Sequence, residues 1–260
     1  MLDDDVLAEV ERRAAAAGVG VPEYVNATMR RHLRLADPGA GAVPEIDVQR
    51  DAFLHALLER SAPRAREVAD SVLSAGVPVE DLYADVFAPA LQEVGHLWAV
   101  DQISVAQEHY ATSVTHALIA TLSAEAPPAT GQGRLAVVTS TPDELHLLGV
   151  DMVADVLRRE GWEVVNLGAA TPARDLVELV REELPDLVAL SASTAGRLPG
   201  VAEVLRELAG VDPRPLVAVG GGLFRGKAAD FAREHGADLV LTDLRDLLTT
   251  VRERFPPIDG

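Results

Sequence analysis

From residue 133 onward the chain is built of short Val- and Leu-rich runs separated by amphipathic stretches of ten or more residues. The runs are Leu135 to Thr139, Glu163 to Leu167, Leu187 to Ser191, Leu216 to Gly220 and Asp238 to Thr242. This alternation constrains the fold more than any other feature. Runs that stay apolar instead of alternating fit strands covered on both faces, and the stretches between them carry the three- and four-residue spacing of helices. Five βα units in series predict an α/β domain over 133–260 with a doubly wound, five-stranded parallel sheet. Ligands of such sheets bind at the carboxyl ends of the strands, so functional side chains belong in the loops that follow them.

Two breaks rich in Pro and Gly, Asp37 to Pro44 and Ala126 to Gly133, set off two further regions. Residues 45–125 read as four helices, about 47–60, 63–76, 79–95 and 103–124. In the third, Leu82, Val86, Phe87, Ala90, Leu91 and Val94 recur on one face. A four-helix bundle is the natural packing. Residues 1–36 read as two short helices, Asp4 to Ala17 and Pro22 to Leu35, flanking Gly18-Val-Gly20. No internal repeat is found.

Composition narrows the partners. Forty-one acidic against twenty-three basic residues give a formal charge of −18, which repels phosphate backbones and anionic lipid. The absence of Cys excludes disulfides, thiolate zinc sites and cysteine nucleophiles. No long apolar run could span a membrane, and the acidic opening Met1-Leu2-Asp3-Asp4-Asp5 is unlike a secretory leader. A soluble, cytoplasmic protein with no membrane partner is the expectation.

The loop after the first run reads Thr139-Ser-Thr-Pro-Asp143-Glu144-Leu-His146-Leu-Leu-Gly149. An imidazole at a strand end can ligate a metal, and a ligating His usually donates its other ring N–H to a carboxylate; Glu144 or Asp143 is placed for that. Gly149 would let backbone approach a bulky ligand. The third run ends in Ser191-Ala-Ser193-Thr194, small hydroxyl residues that can line a slot, and the fourth in Gly220-Gly221-Gly222, which again admits close approach.

Forty-one residues separate Gly149 from Ser191, and twenty-six separate Ser193 from Gly220. With that spacing, the loops resemble the cobalamin-binding domains of methionine synthase, the mutases and their relatives, whose pattern is Asp-x-His-x-x-Gly, Ser-x-Leu and Gly-Gly. Glu144 stands where that family has Asp, a variant found in its regulatory branch, and Ser193 stands where it has Leu. The resemblance covers the whole α/β region and implies a flavodoxin-like sheet with cobalamin as cofactor. It also implies His146 as the lower cobalt ligand in place of the cofactor's dimethylbenzimidazole, with Glu144 behind it. The displaced nucleotide tail would run past Ser191, Ser193, Thr194 and Gly220 to Gly222.

Within the bundle, Trp98 is followed after nine residues by Glu108-His109. This is similar to the Trp-x9-Glu-His signature of adenosylcobalamin-dependent photoreceptors, which pack the same bundle over the same domain. It implies adenosylcobalamin, with the indole stacked on the adenosyl group and Glu108 and His109 bonding to it. In the best-known members a His directly follows the Trp and captures cobalt after illumination, whereas this chain has Ala99. His96, His109 or His116 would have to substitute, and the gap leaves room for a bilin as a second chromophore.

The N-terminal helices resemble those of a ribbon-helix-helix DNA-binding domain, without the strand that reads DNA. Six acidic residues against five Arg between Met1 and Ala36 leave no basic footprint. A helical arm that packs on the bundle or a partner is favoured over DNA binding. The reading that follows is a light-sensing, non-enzymatic cobalamin protein that self-associates and signals to a downstream protein. The alternative is a corrinoid methyl carrier that serves methyltransferases.

Overall fold

The computed structural model describes residues 45–126 and 129–256. The helical arm expected at 1–36 lies outside the described residues. The helical region comprises α1 (Ile46–Leu58), α2 (Ala62–Ser74), α3 (Val79–Asp81), a π-helical segment (Leu82–Phe87), α4 (Ala88–Ala99) and α5 (Val105–Ala124). α1, α2 and α5 begin and end close to their expected bounds. The third expected helix, 79–95, instead runs on to Ala99 and widens into a π turn part-way. Pro89 gives a physical reason, since it has no N–H to return to the Asp85 carbonyl in an α ladder. Just before it, the Ala88 N–H donates to the Tyr83 carbonyl, five residues back. α5 is started by a capping box in which Ser104 Oγ accepts from Gln107 N and the Gln107 side chain accepts from Ser104 N.

The bundle core is aromatic where α1 meets the π segment. Phe53 stacks on Phe87 at 4.5 Å between ring centroids, and Tyr83 tilts against Phe87 at 5.6 Å. Five of the six residues expected on the buried face of the third helix are buried; Leu91 is half-buried.

The second region alternates strand and helix: β1 (Leu135–Ser140), α6 (Leu148–Arg159), β2 (Glu163–Gly168), α7 (Ala173–Glu183), β3 (Leu187–Ser191), α8 (Leu198–Leu208), β4 (Leu216–Gly220), α9 (Lys227–Glu234), β5 (Leu239–Leu241) and α10 (Leu244–Arg254). All neighbouring strands are parallel, in the order β2-β1-β3-β4-β5. The fold is therefore the doubly wound α/β class with a helical cap. Residues of successive parity face opposite layers. Val137, Val188 and Val217 pack with α7, α8 and α9, whereas Ala136, Val138, Ala189 and Ala218 pack with α6, α10 and the bundle. Strand order reverses between β1 and β3, which places the ligand crevice of this topology at their carboxyl ends.

Candidate functional site

At that reversal the loops after β1 and β3 meet. The β1 loop is anchored from below: Ser140 Oγ donates to the Glu144 carbonyl at 2.6 Å and accepts from Ala170 N at 2.8 Å, and Glu144 N donates to the Thr141 carbonyl at 3.0 Å. Glu144 is fully buried. One carboxylate oxygen, Oε1, accepts from His146 N at 3.1 Å and lies against His146 Nδ1. The other, Oε2, accepts from Ser193 N at 2.9 Å and Ser193 Oγ at 2.6 Å, and Ser193 Oγ also lies 2.9 Å from His146 Nδ1. Burial works against the Glu144 anion, but the Ser193 hydroxyl and amide, with the His146 ring and amide, outweigh it and lower its pKa from 4.5 to about 2. The carboxylate is thus an acceptor that fixes the imidazole with Nδ1 inward. The His146 side chain is 68% exposed, and its Nε2 has no hydrogen bond among the described residues. Next to it Leu145, an apolar residue, is 73% exposed.

Beside this loop a cavity of about 370 Å³ runs between the bundle and the sheet. Gly149, Ser191 and Gly220 to Gly222 line it, as do Tyr83 and Gln92 from the cap. Geometry bears on two of these glycines, as a tight contact at Gly149 and as a requirement at Gly221. A Cβ on Gly149 would sit 3.1 Å from Ser191 Oγ and narrow the cavity. Gly221 has φ +118°, and a Cβ there would lie 2.4 Å from the Ala192 carbonyl oxygen. Ser193 and Thr194, expected to line the same slot, do not: Ser193 is turned onto Glu144, and Thr194 is exposed beyond it. The cause is local, because the chain leaves β3 after Ser191, where Ala192 N still bonds to the Gly220 carbonyl and the next residue faces the β1 loop.

In the cap, Trp98 lies in the last turn of α4 and Glu108 and His109 in the first turn of α5, so the two halves of the expected signature sit at one end of a helical hairpin. Trp98 is 49% exposed, and Val100 and Val105 beside it are exposed as well. Glu108 accepts from Thr112 Oγ1 at 2.9 Å and pairs with His109 Nδ1 at 2.5 Å. Among the described residues no hydrogen bond or ion pair joins this group to Glu144, His146 or Ser193. His116, one of the substitutes named for the missing His, has its Nε2 3.1 Å from Asp151 Oδ2 on α6.

Two family models, each described as a B12 binding domain, match the chain, one over residues 134–251 and one over 49–123. The chain belongs to the cobalamin-binding domain family. It is 34% identical over 189 residues to the HTH-type transcriptional repressor CarH of Myxococcus xanthus, a match that takes in 72% of this chain and 62% of that protein. It is 28% identical over 194 residues to the trimethylamine corrinoid protein of Methanosarcina barkeri, covering 72% of this chain and 88% of that one. The chain thus spans less than two thirds of the repressor. The solved structure of the Methanosarcina barkeri monomethylamine corrinoid protein shares the fold, with a TM-score of 0.66 over 80% of this chain and 99% of that one at 18% identity.

The residues present fit such a cofactor. Among the described residues there is no cluster of three or more side chains able to hold a bare metal ion. A single outward imidazole suits a metal already held in a macrocycle, and the cavity beside it, lined by Gly149, Ser191 and Gly220 to Gly222, offers room for a bulky substituent. Sequence reasoning missed the anchoring role of Ser140 and the bonding of Ser193. Neither carries a local sequence signal: both depend on the β1 and β3 loops meeting, which the pairing that aligns Ser140 with Ser191 brings about.

Proposed function

We propose that this cobalamin-binding chain is a regulatory protein that holds adenosylcobalamin between cap and sheet and changes conformation or assembly in light. When bound, that cofactor supplies a cobalt–carbon bond that light cleaves. His146 would offer Nε2 to the metal while Glu144 and Ser193 hold the ring's other nitrogen. Trp98 would offer an apolar surface to the nucleoside, and Glu108 and His109 would hydrogen-bond to it. The observation that carries this reading is the placement of a half-exposed Trp98 with Glu108 and His109 at one end of the α4–α5 hairpin. The similarity to a transcriptional repressor supports a regulatory role, exercised through contacts with other proteins or copies of itself and without turnover.

The likeness to the trimethylamine corrinoid protein, over most of that protein's length, favours a second reading as a methyl carrier. The two diverge in the upper ligand. Purified protein reconstituted in the dark with adenosylcobalamin or methylcobalamin distinguishes them by affinity and by absorption spectra before and after illumination. The sensor binds the adenosyl form more tightly and converts in light to a stable, spectrally distinct form. Preference for the methyl form, or no preference, identifies the carrier. A second chromophore such as a bilin would show as visible absorbance beyond that of the corrin in protein purified from its native source.

A further inference from the structure

Val138, Ala189 and Ala218 are register partners across β1, β3 and β4, so they form one row on the face turned to α6, α10 and the bundle. Two residues later the same face carries Ser140, Ser191 and Gly220, at the strand ends. At roughly 3.3 Å of rise per residue, the alanine row lies about 6 to 7 Å further into the molecule than the serine row. Alanine at these positions of β3 and β4 leaves the cavity its floor; a Val or Leu at either would project into it.

The cavity is therefore graded in polarity. At the strand ends it is lined by Ser191, the glycine run, Thr242, Asp243 and the exposed Arg225, which forms no ion pair among the described residues, and on the cap side by the exposed Gln92. Deeper, its buried walls are Val138, Ala189, Ala218, Met152 and Leu247, with the ring of Tyr83. The two buried polar side chains in its lining are already committed. Tyr83 Oη donates to Asp155 Oδ2 at 2.7 Å, and Thr139 Oγ1 bonds to the Gly168 carbonyl at 3.1 Å and to Thr171 Oγ1 at 2.7 Å. The backbone of β1, β3 and β4 is used up by ladders on both sides. The floor thus offers shape and apolar surface without a free hydrogen-bonding group.

Taking the reading of His146 as lower ligand, which sends the nucleotide tail into this cavity, we propose that the chain selects corrinoids by their lower base. It accepts an apolar ring and discriminates against a purine. Adenine would bring an amino donor and several ring-nitrogen acceptors, where detached benzimidazole brings one ring nitrogen and cresol none, to a floor that cannot answer them, and a buried group left unpaired weakens binding by roughly 10- to 100-fold. The ribose and phosphate, which stay polar in every such corrinoid, meet the polar rim.

The test is equilibrium titration of the full chain in the dark, followed by absorbance, with four corrinoids that carry the same upper ligand. These are cobalamin, an analogue with adenine as lower base, one with cresol, and cobinamide, which has no nucleotide. The benzimidazole form is the decisive comparison with adenine, because benzimidazole is the stronger cobalt ligand and costs more to detach, so its tighter binding cannot come from detachment; cresol, which does not coordinate cobalt, shows the affinity with that cost removed. Cresol and benzimidazole forms should bind about 10- to 100-fold more tightly than the adenine form. Met152→Gln, and the milder Ala189→Ser, should narrow that ratio, with circular dichroism confirming the fold. Equal affinity for cresol and adenine forms, or a ratio that neither folded variant moves, overturns the inference. Cobinamide binding as tightly as cobalamin overturns it too, while leaving cobalamin binding intact. Failure of every corrinoid to bind would instead overturn the ligand assignment on which it rests.

Discussion

At the level of single residues, the centre of the molecule is a carboxylate whose four contacts all serve one imidazole. Because Glu144 is buried and receives from both His146 and Ser193, it fixes which ring nitrogen faces out. If His146 ligates cobalt as proposed, His146→Ala should leave the fold intact and shift the spectrum of the bound corrinoid, with a loss of affinity. An unchanged spectrum would remove His146 from the ligand role. Glu144→Gln keeps the shape but loses the charge, and should cost on the order of 10- to 100-fold in affinity, as is usual for a group behind a metal ligand. Ser193→Ala should weaken binding less, since the Ser193 amide still reaches Oε2. In the cap, Trp98→Ala removes a surface on the order of 150 to 250 Å² and should weaken adenosylcobalamin while sparing methylcobalamin. Equal loss of both would mean the indole only supports the hairpin. The contact of Glu144 with His146 was legible because the two lie two residues apart on one loop. Ser193 was not, because its role exists only once a loop forty-seven residues away folds back across the strand reversal.

Among the elements, the helix from Val79 to Ala99 joins the two regions, and its widened turn carries the joint. Tyr83 in that turn reaches Asp155 on α6, where Arg159 Nε also binds at 2.8 Å while its NH2 holds the Leu122 carbonyl of α5 at 2.7 Å. Burial, and then the charge of Asp155, raise the Tyr83 pKa, so the phenol stays a donor at every physiological pH. Nearby, Arg245 at the start of α10 reaches Asp85 and Asp243, but on the surface. The two links should differ in worth. Tyr83→Phe leaves a buried carboxylate short of a partner and should cost about 1 to 3 kcal/mol, whereas Arg245→Ala breaks exposed pairs worth about 0 to 1 kcal/mol that fade with salt. Thermal melts of the two variants in low and high salt check both. The surface link also has a pH sense: the guanidinium of Arg245 holds Asp243 below its ordinary 3.8, so its contribution is complete above that value and is lost as pH falls below it. Periodicity alone gave the helices of the cap. It could not give the π turn, because Pro89 reads equally well as the first turn of a new helix.

For the whole molecule, the buried surface of the cap and one face of the sheet form a single apolar core, continuous from Phe53 through Leu82 to Val138 and Leu247. The helix pattern and the strand pattern were each visible in the sequence because each repeats locally. Their union was implied only by the resemblance, since it depends on contacts between residues far apart in the sequence, which no local repeat records. A cap seated over the cofactor domain by one apolar core and one buried polar link can respond to what lies between them only if the two positions of the cap bind the cofactor unequally. In the sensor reading, loss of the nucleoside from Trp98, Glu108 and His109 is that inequality, and the exposed Trp98, Val100 and Val105 mark the surface where it would be felt. The protein loaded with adenosylcobalamin in the dark should therefore differ in hydrodynamic size from the same sample after illumination, by sedimentation or by size-exclusion chromatography with light scattering. Trp98→Ala should abolish the difference, and methylcobalamin-loaded protein should show none. Superimposable profiles in dark and light, with the spectrum changing as expected, would show that the signal passes to a separate protein without any change in self-association. Profiles and spectrum both unchanged would leave the methyl carrier as the function.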